Sequence, residues 1–142
     1  MNQPPKTTAP IKAIGLDLVY LPRLSRSYQR YGTPMLGKIL TPNELAYCLS
    51  SRKEPLLIKR FGARIAAKEA VAKCLGIGFS LLGYPDGLSW RSIEVGHEPG
   101  NHKPLLSLSG RAAEKADRLG IETWHISLTH DGDYAQAMIL AI

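Results

Sequence analysis

Hydrophobic positions change their period several times along this chain, and each change marks an element. Ile11 to Val19 is a short apolar run broken only by Lys12, Gly15 and Asp17, as in a mostly buried strand. Leu21, Leu24, Tyr28 and Tyr31 then recur at helical spacing. At about 100° per residue, Arg23, Arg26 and Arg30 fall on roughly the opposite side, so this helix is amphipathic with an arginine stripe. Thr41-Pro42-Asn43-Glu44 opens another helix: Thr41 caps it, Pro42 suits the first helical position and Glu44 completes a capping box. A longer helix is predicted from Pro55 to Leu75, rich in Gly62, Ala63, Ala66, Ala67, Ala70 and Ala72, and ended by Gly76-Ile77-Gly78.

Beyond a loop at Pro85-Asp86-Gly87, Leu88 to Val95 alternates as a strand, and Pro99-Gly100-Asn101 marks a turn before a second strand, Leu105 to Leu108. Ser109 is placed to cap a helix closed by Gly120. His125 to Thr129 alternates, Tyr134 to Ile142 is an apolar strand, and Asp131-Gly132 between them signals a hairpin that sets His130 at a strand end. Met1 to Pro10 has no periodicity and is expected to be a disordered tail, leaving 11–142 as the folded domain.

At 142 residues and 44% hydrophobic, the chain can bury one core. No apolar run approaches the roughly 20 residues needed to span a bilayer, so a soluble, cytoplasmic protein with no membrane association is expected. Cys48 and Cys74 lack the paired spacing of a zinc site or disulfide framework and read as reduced thiols. Eighteen Lys and Arg against twelve Asp and Glu leave a net charge of +6, which favours an anionic partner: nucleic acid, a phosphorylated cofactor or an acidic protein. Lys59, Arg60 and Arg64 on one helix would suit nucleic acid, yet no stacking pattern or binding motif accompanies them.

Two carboxylates stand out. Glu69 falls among Ile58, Gly62, Ile65 and Ala72 on the inward face of the long helix, where an unpaired charge costs several kcal/mol or more. Lys73, one turn on, either pairs with it or shares an anionic ligand with it. Asp17 is the second, near the end of the first strand beside Gly15, which leaves room for a ligand. Two such carboxylates on separate elements make a hard oxygen site suited to magnesium. His130 is a third candidate group, while His97, His102 and His125 have no arrangement that raises them above solvated side chains.

Gly15-Leu16-Asp17-Leu18-Val19, then Arg64-Ile65-Ala66-Ala67-Lys68-Glu69-Ala70-Val71-Ala72-Lys73 with Gly76-Ile77-Gly78, and finally Ser127-Leu128-Thr129-His130 with Asp133-Tyr134-Ala135, resemble the holo-acyl-carrier-protein synthases, in order from about Ile11 to the C-terminus. Tyr20, Ile65 and Thr129 depart from the family's usual glutamate, aromatic residue and serine. The resemblance implies an α+β fold of the 4'-phosphopantetheinyl transferase kind, an antiparallel sheet packed against a long helix in a single domain. It implies transfer of 4'-phosphopantetheine from coenzyme A to a serine of apo-acyl carrier protein in fatty acid biosynthesis, with carriers of polyketide or peptide synthesis as the alternative substrates. By the same resemblance Asp17 and Glu69 hold Mg²⁺, and Glu69, Lys73 and His130 serve catalysis. Asp17, Lys68, Lys73, Gly76, Gly78 and His130 contact coenzyme A, while Arg23 and Arg30 grip the acidic carrier. A homotrimer with active sites between subunits, and no nucleic-acid partner, completes the expectation.

Overall fold

A computed structural model describes residue 3 and residues 9–79 and 86–142 of the chain. Most of the expected tail, and Pro85 of the expected loop, therefore lie outside the described residues. The elements run β1 (Ala13–Tyr20), α1 (Leu21–Tyr31), α2 (Thr33–Ile39), α3 (Pro42–Leu49), α4 (Glu54–Leu75), β2 (Ile93–His97), β3 (Pro104–Leu108), α5 (Gly110–Arg118), β4 (Trp124–Asp131) and β5 (Tyr134–Ala141). Strands β1, β5 and β4 form an antiparallel sheet in that order, and β2 pairs with β3 in a separate antiparallel ribbon.

The sheet lies on α4 through its smallest residues. Ala135, Ala137 and Ala141 of β5 are fully buried, as are Ala66, Ala67 and Ala70 of the helix. At Gly15 the strand runs so close that a Cβ there would stand 2.0 Å from the Ala70 carbonyl oxygen. A second core of Leu21, Leu36, Leu40, Leu57, Ile58 and Phe61 gathers α1, α2 and α3 around the first half of α4. The helix is thus enclosed from both sides, which accounts for its lack of a single apolar stripe.

Local chemistry placed most boundaries where expected. The capping box is present: Glu44 N donates to Thr41 Oγ1 at 3.3 Å and Thr41 N donates to Glu44 Oε1 at 2.9 Å. Gly76 closes α4 at φ +69°, a left-handed conformation that suits glycine. Two expectations change, and one helix had no counterpart among them. Helix α2 has seven residues, too few to show a period, and follows directly on Gly32 at φ +66°. The strand expected from Leu88 begins only at Ile93, because Trp90–Ser92 form a 3₁₀ turn, with Trp90 stacked 3.8 Å from Phe79. Ser109 precedes α5, but its side chain makes no capping bond; its backbone N–H donates instead to Ser92 O at 2.9 Å.

Candidate active site

Strand alternation turns Ala13, Gly15, Asp17 and Val19 toward α4 and leaves Ile14, Leu16 and Leu18 on the outer face. The close approach at Gly15 then sets Asp17 beside the last turns of the helix. There Asp17 and Glu69 meet closely enough for each to act on the other's charge. Burial first, then the hydrogen bond a protonated Glu69 can share with Asp17 and the negative charge of Asp17, raise Glu69 from its ordinary 4.5 to about 7, with Lys73 opposing the rise. Asp17 Oδ1 accepts from Lys73 Nζ at 2.9 Å, and Lys73 also donates to Leu16 O at 2.8 Å. Asp17 Oδ2 is buried and has no hydrogen-bond partner. Helical spacing alone suggested that Lys73 pairs with Glu69; the ion pair runs to Asp17 because β1 lies against the same helical turns.

An orphaned buried carboxylate oxygen facing a second carboxylate calls for a proton or a cation. Both groups are hard oxygen donors, and among the described residues no cluster of three His, Cys, Asp or Glu forms. That set suits magnesium, which takes one or two carboxylates and completes its shell from water and phosphates.

Two open clefts flank the pair. One, of about 250 Å³, lies between β1, α1 and α4 and is lined by Val19, Tyr20, Arg23, Ser27, Ile65 and Glu69. The other, of about 340 Å³, is lined by Glu69, Lys73, Gly76, Ile77, Gly78 and Phe79. Glu69 belongs to both, so a ligand in either cleft reaches the same carboxyl group. A larger groove of about 430 Å³, between α1 and the start of α4, contains none of Asp17, Glu69 and Lys73.

Of the other residues singled out in the sequence, Arg23 enters the first cleft and stacks 5.9 Å above the Tyr20 ring. Arg30 lies near the far end of α1 over Tyr31 and lines neither cleft. His130 is exposed in β4 opposite Ala135, with β5 between it and β1. Two strand spacings, about 10 Å, therefore separate it from the Asp17 strand. One expectation is overturned by its surroundings. Lys68 is fully buried, and its ammonium donates to Glu44 Oε1 at 2.6 Å, Ile39 O at 2.8 Å and Trp90 O at 3.0 Å. All three donors are used within the protein, so none remains for coenzyme A.

Two of the three cations that suggested nucleic acid, Arg60 and Arg64, are also engaged. Arg60 and Arg64 stack on Tyr47, at 4.3 and 4.4 Å from its centroid, and Arg64 is only 3% exposed. Sequence reasoning missed Ser27, which lines the cleft that Arg23 enters; its i+4 spacing from Arg23 was the available signal. It also read Glu44 only as a cap, because nothing local shows that its carboxylate reaches Lys68, 24 residues away.

Residues 13–139 match the family model described as the 4'-phosphopantetheinyl transferase superfamily. The holo-[acyl-carrier-protein] synthase of Koribacter versatilis is 40% identical over 130 residues, spanning 92% of this chain and 97% of the relative. Among solved structures, Helicobacter pylori holo-[acyl-carrier-protein] synthase in complex with coenzyme A is similar at a TM-score of 0.72 and 27% identity, over 91% of this chain and 99% of that one. The Plasmodium yoelii acyl carrier protein synthase with ADP bound is similar at a TM-score of 0.76 and 30% identity, over 93% and 95%. On its motifs, its fold and these likenesses, the chain belongs to the 4'-phosphopantetheinyl transferase superfamily.

Proposed function

We propose that this chain transfers 4'-phosphopantetheine from coenzyme A to a serine of apo-acyl carrier protein, in the cytoplasm and in the service of fatty acid biosynthesis. The observation that carries this reading is the Asp17–Glu69 carboxyl pair at the junction of two clefts, one edged by Lys73 and glycines and the other by Arg23. Coenzyme A occupies the first, where Gly76 and Gly78 offer no side chain to block a phosphate and Lys73 offers a cation. The acidic carrier docks along α1, drawn by Arg23 and, farther out, Arg30.

In the reaction the serine Oγ forms a bond to the β-phosphorus of coenzyme A while the bond to the 5'-phosphate of the departing 3',5'-ADP breaks. Asp17 and Glu69 would hold Mg²⁺, which would supply positive charge for the pyrophosphate oxygens. Glu69, directly or through a water, accepts the serine proton. Lys73 takes up charge that grows on the leaving phosphate, and Asp17 keeps its ammonium aimed at the cleft.

The reading includes a homotrimer with its sites between subunits, which two features of the protomer support. The outer face of the sheet exposes Ile14 (65%), Leu16 (51%), Leu18 (56%) and Met138 (47%), an apolar stripe across β1 and β5 that a monomer would leave in water. His130, distant from the Asp17 strand within its own protomer, would act as a phosphate or hydroxyl contact in a neighbour's site.

Mass spectrometry of an apo-acyl carrier protein incubated with this protein, coenzyme A and Mg²⁺ tests the activity. A gain of one phosphopantetheine is the expected result. An unmodified carrier, where an authentic transferase modifies the same sample, overturns it.

A further inference from the structure

The least explained group in the molecule is the buried pair of Lys68 and Glu44, with side chains 0% exposed on both sides. Neither residue touches the Asp17–Glu69 site, but Lys68 is the residue directly before Glu69. Its ammonium is bonded to α2 through Ile39 O, to α3 through Glu44 and to the 3₁₀ turn through Trp90 O. Glu44 extends the link: Oε1 also accepts from Thr41 N, and Oε2 accepts from Val95 N in β2 at 2.9 Å. One side chain of α4 is thereby fixed in direction to four other elements.

Elsewhere along α4 the side-chain bonds to other elements, at Glu54, Arg60 and Lys73, are made by exposed or partly buried groups rather than in the interior. Fourteen of its 22 residues are buried, around nearly its whole circumference, and Gly62, Ala63, Ala66, Ala67, Ala70 and Ala72 give it a smooth surface with shallow ridges. Such a helix packs closely but resists rotation about its own axis weakly, because interlocking ridges are what set the angle between helices and their neighbours. A buried ion pair is also a poor choice for stability alone, since apolar residues of similar volume often do as well. Its three directional bonds do what alanine contacts do not: they define an angle.

We propose that the Lys68–Glu44 pair is a positioning device that fixes the roll of α4 and so determines whether Glu69 faces Asp17. The inference rests on the assignment of Asp17 and Glu69 as the ion-binding centre. A roll of about 10° moves a carboxylate about 6 Å from the helix axis by about 1 Å, a displacement that is able to cost on the order of a hundredfold in rate. Lys68 and Glu44 act only through Glu69 and touch neither substrate.

Glu44→Asp is the deciding variant, because it keeps both charges and shortens the link by one methylene; Lys68→Met strands a buried carboxylate and risks unfolding. The measurements are circular dichroism, Mn²⁺ binding to the ion-free protein by electron paramagnetic resonance, and kcat with KM for coenzyme A. A folded Glu44→Asp with kcat and Mn²⁺ affinity each lowered about tenfold or more, and KM for coenzyme A within about twofold of wild type, is expected. Unchanged Mn²⁺ affinity in a folded variant overturns the proposal, whether or not kcat falls, and so does failure of Glu44→Asp to fold, which would make the pair a stability element. Wild-type protein and Asp17→Asn, run alongside, separate the two claims: wild-type Mn²⁺ binding that Asp17→Asn leaves intact strikes the ion centre itself rather than the latch.

Discussion

Glu69 and Asp17, 52 positions apart in the sequence, lie close enough that Asp17 helps to hold a proton on Glu69. The contact depends on β1 lying backbone against backbone on α4, which ties the chemistry of the site to the packing beneath it. Replacing Glu69 by Gln keeps the size and the donor to Asp17 but removes the charge and the base. Turnover should fall by about a hundredfold or more, while the ion-free variant at pH 8 melts above wild type because the carboxylate repulsion is gone. Turnover within a few-fold of wild type would remove Glu69 as the base.

The elevated Glu69 also gives a signed dependence on pH. Its proton is held more tightly in the folded state than in the unfolded one, so between about pH 4.5 and 7 the native chain carries more protons. Stability of the ion-free protein should therefore decline as pH rises through that window. A divalent ion replaces the proton, so the gain in Tm on adding Mg²⁺ should be larger at pH 8 than at pH 5. Thermal melts with and without Mg²⁺ at the two pH values check both statements; equal gains would contradict them.

Gly15→Ala tests the close approach itself. Its Cβ would stand 2.0 Å from Ala70 O and 2.9 Å from Cys74 Sγ, so the strand has to move off the helix. Denaturant unfolding should show a loss of about 3 kcal/mol, near the upper end for overpacking, with weakened divalent-ion binding. An unchanged unfolding midpoint would show that the gap between β1 and α4 is wider than described.

Arg23 lines the cleft that contains Glu69, and Arg30 does not. Arg23→Glu should raise KM for the carrier by about tenfold or more with KM for coenzyme A unchanged, and Arg30→Glu should have a smaller effect of the same kind. Steady-state kinetics against each substrate distinguish this from a general loss. Parallel increases in both KM values would place the arginine in the wrong cleft.

Leu16 and Leu18 flank Asp17 and point to the opposite face of the sheet. Leu16→Glu should leave the protomer folded, lower the mass seen by light scattering from a trimer to a monomer, and abolish transfer. A monomeric variant with full activity would show that a single subunit carries the whole site.

Several of these features were legible beforehand because they are local. The capping box at Thr41, the glycine end of α4 and the Asp131-Gly132 hairpin each involve groups within a few residues of one another. Asp17 and Glu69 were conspicuous as charges in apolar surroundings. The seven-residue α2 was not visible, being shorter than two full turns of helical pattern. Nor was the fate of Lys68, which reads like any other lysine in a helical motif until its neighbours are known.

By itself, then, the sequence determined where most elements lie, which faces are apolar and which side chains are chemically out of place, since these follow from interactions among near neighbours along the chain. It left open what each of those side chains meets. Only the tertiary structure decided that Lys73 bonds to Asp17 rather than to Glu69, that Lys68 is sealed against Glu44, and that His130 stands two strands away. The physical reason is that desolvation and pairing depend on distances between segments remote in sequence, and those distances are set when strand and helix close on each other at a glycine.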